Sequence, residues 1–167
     1  MKRVLVTAGA NGIGLAIARK FASTGAKVHV CDIDESRLAA LGSEPFPISG
    51  NLCDVADRKA VEGMMWQAVR SLGGLDVLVN NAGIAGPTGR VDHIDADEWE
   101  RTLAVNITGQ FNVTRLAVEH LAKGRDPSIV CMSSVAGRLP YANRSAYAAS
   151  KWAVVGFAKT LAVELGA

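Results

Sequence analysis

Short apolar runs alternate along this chain with longer segments whose apolar residues recur every three or four positions. The first kind of pattern predicts strands and the second predicts helices. Residues 2–7 (Lys-Arg-Val-Leu-Val-Thr) are β-rich and predict a strand, and residues 8–14 follow as a glycine-rich turn. Residues 15–23 carry Ala16, Ile17, Ala18 and Phe21 at helical spacing and end before Gly25. A second strand is expected over 27–31, ending at Asp32, then a short helix over 35–41 stopped by Gly42. A weak third strand is expected over 46–48. Asp57 opens a helix to about Leu72, with Val61, Met64, Met65 and Ala68 on its apolar face and Gly73-Gly74 as its stop. A fourth strand spans 76–79, and a loop with Gly86, Pro87 and Gly89 follows it. Asp95 with Glu98 predicts a capped helix start, and the helix runs unbroken to about Lys123. Residues 129–132 predict a fifth strand, and a last helix spans 145–165.

Five strands thus alternate with helices, which is the pattern of βαβ units in a parallel sheet. The strands are nearly continuous apolar runs, as expected where helices cover both faces. The expectation is one α/β domain over residues 1–167, a doubly wound parallel sheet.

Composition narrows the classes. The net charge is +2 and aromatic residues make up 5 %, with no basic run, so nucleic acid is not an expected partner. No apolar run approaches the roughly 20 residues that span a bilayer. The three cysteines (Cys31, Cys53, Cys131) lack metal spacing and are expected as reduced thiols in a cytoplasmic protein. The three histidines form no ligand pair, and the acids Asp92, Asp95, Asp97 and Glu98 suit a helix start better than a cation; no metal is expected.

Candidate chemistry sits at the strand ends. Gly9, Gly12 and Gly14 follow the first strand and open a helix, where backbone can approach a pyrophosphate at the helix's positive end. Asp32 at the end of the second strand is placed to accept both hydroxyls of an adenosine ribose, and it would repel a 2′-phosphate. The usual compensating base is missing, with Ala10 and Asn11 in the turn and Ile33 beside Asp32, so NAD is expected in preference to NADP. Tyr147 and Lys151 stand four residues apart and share one helix face. A lysine cation near a phenol favours its ionised form, which suits proton exchange with a carbonyl or alcohol oxygen. Ser134, on the loop after the fifth strand, is placed to hydrogen-bond the same oxygen.

Taken together these residues resemble the short-chain dehydrogenase/reductase family, whose fold is the Rossmann type. Thr7-Ala8-Gly9-Ala10-Asn11-Gly12-Ile13-Gly14 resembles its Thr-Gly-x-x-x-Gly-x-Gly loop. Asp54-Val55 resembles its adenine-contacting pair, and Asn80-Asn81-Ala82-Gly83 is similar to the segment closing its fourth strand. Asn106, Ser134, Tyr147 and Lys151 match its catalytic positions. The resemblance implies hydride transfer between NAD(H) and a secondary alcohol or its ketone. It makes Tyr147 the general acid/base and Ser134 the residue that polarises the substrate oxygen. Lys151 would bind the nicotinamide ribose, and Asn106 would hold a water in a proton relay. The implied cofactor contacts are Thr7, Gly9, Asn11, Gly12, Ile13, Gly14, Asp32, Ile33, Asp54, Val55, Asn81, Tyr147 and Lys151.

Two departures carry expectations. Ala8 stands where the family has its first glycine, so a slightly altered turn and a modest effect on cofactor affinity are expected. Residues 165–167 end the chain where the family continues into a sixth strand, a substrate lid and a last helix and strand. That predicts a portion of a longer enzyme in preference to a shortened product, and the chain by itself is expected to be poor in cofactor binding and turnover. The competing reading is a non-catalytic dinucleotide-binding or scaffold protein of the same fold. The resemblance also implies a homodimer or homotetramer through the helices over 97–123 and 145–165, with Val113, Val118, Leu121, Phe157, Leu161 and Leu165 as available apolar material. Arg90, Arg138 and Arg144 flank the site and are expected as solvated rim charges, with contact to an acidic substrate as the alternative.

Overall fold

The computed structural model describes residues 1–166. Five strands, β1 (Arg3–Thr7), β2 (Lys27–Asp32), β3 (Ile48–Leu52), β4 (Val77–Asn80) and β5 (Ser128–Cys131), form one sheet in the order β3-β2-β1-β4-β5. Every pairing is parallel, so each connection crosses over through helix. The chain moves outward from β1 to β3 and then returns past β1 to β4. The crevice at the carboxyl ends of β1 and β4 is therefore the topological switch point, where sheets of this order bind ligands.

Alternation along the strands divides the core in two. Val4, Val6, Val28, Val30, Val77 and Val79 face helix α1 (Gly12–Ser23), which offers Ala18 and Ala22. Leu5, Cys31 and Leu78 face the other way, onto α3 (Arg58–Leu72) and α5 (Gly109–Leu121). The short α2 (Glu35–Ala40) buries none of its residues fully. Helix α6 (Ser145–Leu165) packs against β5 and against α4 (Ala96–Leu103).

Three expectations change. The third strand is Ile48–Leu52, not 46–48. Its exposed Ser49, Gly50 and Leu52 lie on a sheet edge, where pairing to β2 rather than apolar content makes the strand. β5 is the other edge, with Val130 exposed. The long helix expected to run to 123 divides into α4, a π-helical turn (Ala104–Thr108) and α5. Val113 and Leu121, read as interface material, are buried in this chain's own core.

A polar group is built into the α3 side of β2. Buried His29 pairs through Nδ1 with Ser49 Oγ (2.8 Å) and through Nε2 with Asn51 Oδ1 (2.8 Å). Burial pushes its imidazole below the ordinary histidine value, against the smaller opposing effect of the Asn51 bond. The unfolded chain protonates its histidine at about pH 6.5, while the folded chain resists. The unfolded state then binds more protons, so stability falls as pH drops through that range. The thermal midpoint is expected to fall between pH 7.5 and 5.5, and His29→Gln is expected to flatten that slope. An unchanged slope in the variant would show that His29 is not its source.

Candidate active site

The turn after β1 is held from both sides. Thr7 Oγ1 accepts the backbone N–H groups of Asn81 (3.0 Å) and Ala82 (2.9 Å). Asn81 Nδ2 donates back to the carbonyls of Thr7 (3.0 Å) and Ala8 (3.1 Å). Thr7 and Asn81, expected as cofactor contacts, therefore first serve to lash β1 to β4. Gly14 is buried against this lashing: a Cβ there would run into the Ala8 carbonyl and come within 2.6 Å of Asn81 Nδ2. A Cβ on Gly12, by contrast, would meet nothing, because Gly12 faces open space in the cavity that it lines.

Ala8 keeps the turn by adopting φ +48°, the left-handed region that its missing glycine would occupy without cost. An alanine there is strained by about 1 kcal/mol. Ala8→Gly is expected to raise the unfolding free energy by up to about that amount, reduced by the extra freedom glycine gains when unfolded. Chemical denaturation of the two proteins measures it; an unchanged or lower midpoint for the variant contradicts the strain.

A cavity of about 400 Å³ opens beside this turn at the switch point. Asn11, Gly12, Ile13 and Gly14 form its floor at the start of α1, and Asp32 and Ile33 stand at the end of β2. The carboxylate of Asp32 is oriented by the backbone N–H groups of Ala10 (3.1 Å) and Asp34 (3.2 Å). Those two bonds leave acceptor capacity for two ribose hydroxyls. Asp54 and Val55 wall the same cavity, while Gly9 underlies the turn against Val30 and lines none of it. The small residues, the helix start and the carboxylate at the second strand end fit a dinucleotide.

Tyr147, Lys151 and Asn106 gather beyond Gly83, at the edge of this cavity. Lys151 is buried, and its ammonium donates to the Met132 carbonyl (2.9 Å) at the end of β5. Ser133 Oγ donates to the Lys151 carbonyl (2.8 Å), which ties the strand end to α6 a second time. Burial holds the Lys151 ammonium below the ordinary lysine value. Its Nζ lies 5.6 Å from the centre of the Tyr147 ring. Ser134 caps a 3₁₀ turn (Val135–Gly137), its Oγ accepting the Ala136 N–H (3.2 Å), so the hydroxyl hydrogen is left to donate.

Asn106 sits in the π-helical turn, a feature that often marks functional sites. Its Nδ2 donates to the Ile84 carbonyl (3.0 Å) and to Ser150 Oγ (3.0 Å), and its Oδ1 accepts the Ile84 N–H (2.8 Å). Ser150 Oγ in turn donates to the Tyr147 carbonyl (2.7 Å). A Cβ on Gly83 would lie 3.3 Å from both Asn106 Oδ1 and Lys151 Nζ, so these three positions meet at one point.

Sequence reasoning missed Ser150 and Ser133, and also Arg101, which lines the same cavity as Asp54. Ser150 was visible as the residue between Tyr147 and Lys151 on the same turn; Arg101 carried no signal beyond its charge. Arg144 is not a solvated rim charge. It donates to the Ala85 carbonyl (2.6 Å) and Thr88 Oγ1 (3.3 Å), and its guanidinium lies 5.3 Å from the Tyr147 ring centre and 5.9 Å from that of Tyr141. It thereby fastens the loop after β4 to the start of α6. Arg90 does lie exposed, paired with Asp92 (3.1 Å).

Comparisons with known proteins identify the family and the fold. Residues 2–167 match the short chain dehydrogenase family. The chain is 39 % identical over 168 residues to momilactone A synthase of Oryza sativa subsp. japonica, covering 99 % of this chain and 61 % of that protein. It is 38 % identical over 168 residues to the 3-oxoacyl-[acyl-carrier-protein] reductase of Thermotoga maritima, covering 98 % of this chain and 68 % of the relative. The crystal structure of an F189W actinorhodin polyketide ketoreductase with NADPH superposes with a TM-score of 0.91 at 34 % identity, over 98 % of this chain and 65 % of that one. The chain spans about three fifths to two thirds of the length of these proteins. It belongs to the short-chain dehydrogenase/reductase family, whose members are oxidoreductases that use NAD(P).

Proposed function

We propose that this chain carries the cofactor-binding and proton-transfer groups of an oxidoreductase that interconverts a secondary alcohol and its ketone with NAD(H). The observation that carries the reading is the buried Lys151 ammonium, fixed on the Met132 carbonyl between the Tyr147 ring and the end of the cofactor cavity near Gly83. A buried lysine cation is costly unless its charge is used.

Bound nicotinamide supplies or accepts the hydride at its C4. The chain does the rest. Ser134 donates its hydroxyl hydrogen to the substrate oxygen and fixes it. Tyr147 Oη gives a proton to that oxygen in the reducing direction and takes it back in the oxidising one. Lys151 has two ammonium hydrogens beyond the one given to Met132, enough to hold ribose hydroxyls and face the phenol. Asn106 belongs to the relay that returns the proton to solvent. Both of its amide hydrogens are taken, so its side chain meets a relay water as an acceptor.

Asp32, with Ile33 beside it and no base in the turn, supports NAD over NADP. Fluorescence titration is expected to give an NADH affinity at least about tenfold above that for NADPH, since a phosphate against a carboxylate is disfavoured by that much or more. Equal affinities would remove the NAD assignment, and NADH oxidation with a panel of small ketones tests the reaction class. Cys31, Cys53 and Cys131 are unpaired, which supports a cytoplasmic setting. A homodimer or homotetramer would use α5 and α6 through exposed Phe111, Trp152 and Val163 rather than the buried Val113 and Leu121.

A further inference from the structure

The cofactor cavity is bridged by an ion pair. Asp54 lies just after β3 and Arg101 lies on α4, 47 residues later, yet Arg101 Nη2 and Asp54 Oδ2 meet at 2.8 Å across the cavity that both line. The Asp54 side is rigid: its Oδ1 accepts the Ala56 N–H (2.9 Å), and the Val55 carbonyl accepts Asn112 Nδ2 (3.0 Å). The pair is partly exposed, with side-chain accessibilities of 46 % for Arg101 and 35 % for Asp54. Such a pair contributes little to stability. Among the described residues lining this cavity, Arg101 is the one cation, set against the carboxylates of Asp32 and Asp54. A dinucleotide would bring two phosphates into the same space. A guanidinium held edge-on by a carboxylate leaves its flat faces free, and those faces stack on aromatic rings.

We propose that Arg101 is a cofactor-binding residue: anchored on Asp54, its guanidinium forms the outer wall of the adenine site and covers the purine face. The proposal rests on the reading of this cavity as a dinucleotide site. It adds a contact supplied by α4. It also links the α4 position to adenine occupancy, because the wall exists only while α4 is docked.

Calorimetric titration with ADP-ribose tests it on the whole chain, since that ligand carries adenine and both phosphates but no nicotinamide. R101A is expected to weaken ADP-ribose binding about tenfold, the size of a good stacking contact. R101K is expected to recover part of that loss, having the charge but not the planar face. Circular dichroism confirms that both variants fold. If R101A binds like the parent chain, or if R101K recovers the loss in full, the planar face contributes nothing and the wall does not exist, while the cofactor reading stands. If the parent chain itself fails to bind ADP-ribose, both readings fall together.

Discussion

Tyr147→Phe is expected to lower turnover by roughly 10²- to 10⁴-fold, the usual contribution of a positioned acid/base, and to leave NADH binding within about twofold of the parent. The reason for the split is geometric. The contacts that hold residue 147 are made by its ring and backbone: the Arg144 guanidinium at 5.3 Å, the Lys151 ammonium at 5.6 Å, and the carbonyl that accepts Ser150 Oγ. Phenylalanine keeps all three. Lys151 keeps its own anchor on Met132, so the cavity that receives the dinucleotide is unchanged. What disappears is one oxygen and its proton. Steady-state rates with the best ketone of a panel, beside a fluorescence titration of NADH, separate the two effects. A variant that turns over normally would remove Tyr147 from proton transfer, and one that lost NADH binding would show that the phenol oxygen holds the cofactor. The measurement belongs in the longest natural form of the protein, because relatives extend well past the length matched by this chain.

The order of strands and helices was legible because buried parallel strands must be apolar and the turns between them need glycine. β1, β2 and β4 carry no other signal and need none. α6 was legible to the residue, at Ser145–Leu165, and it places Tyr147 and Lys151 one turn apart. Three things were not legible, each for a physical reason. β3 is held by its neighbour's backbone, so its Ser-Gly-Asn centre reads as a turn. The π-helical turn around Asn106 inserts one residue into a helix whose apolar spacing barely registers it. Gly109, just after that turn, packs where a Cβ would lie 2.6 Å from Val55, which fixes the distortion through a contact 54 residues distant. Arg144 read as a surface charge because its partners, the Ala85 carbonyl and the Thr88 hydroxyl, lie in a loop that only the fold brings near. Local propensity cannot show any of these, since each depends on what is packed against the element.

The largest effect on stability is expected far from the crevice, at the amino end of the sheet. Asp76 is buried, with 2 % of its side chain accessible, and its carboxylate collects four donors. Oδ2 accepts the backbone N–H (2.8 Å) and Nε (3.0 Å) of Arg3, and Oδ1 accepts Arg3 Nη2 (2.7 Å) and the Arg125 N–H (2.7 Å). One side chain thus joins the start of β1, the start of β4 and the turn before β5. The Arg3 guanidinium holds the Asp76 carboxyl well below the usual carboxylate range. Asp76→Ala leaves the Arg3 guanidinium with the Gly73 carbonyl alone and two backbone N–H groups without an acceptor, and with the arginine 26 % accessible the cost falls at about 3 kcal/mol, the low end for breaking a buried pair. A loss of that size is a large fraction of a domain's stability, and the denaturation midpoint measures it. The pH dependence has a definite sign. The folded carboxyl ionises at lower pH than the unfolded one, so its contribution is complete above about pH 5, past the unfolded value near 3.9. It is lost as pH falls below that range. The parent chain is therefore expected to lose stability steeply below pH 4, and Asp76→Ala to lose less over the same interval from its lower starting point. Equal acid slopes in the two proteins would place the source of the acid transition in another carboxylate.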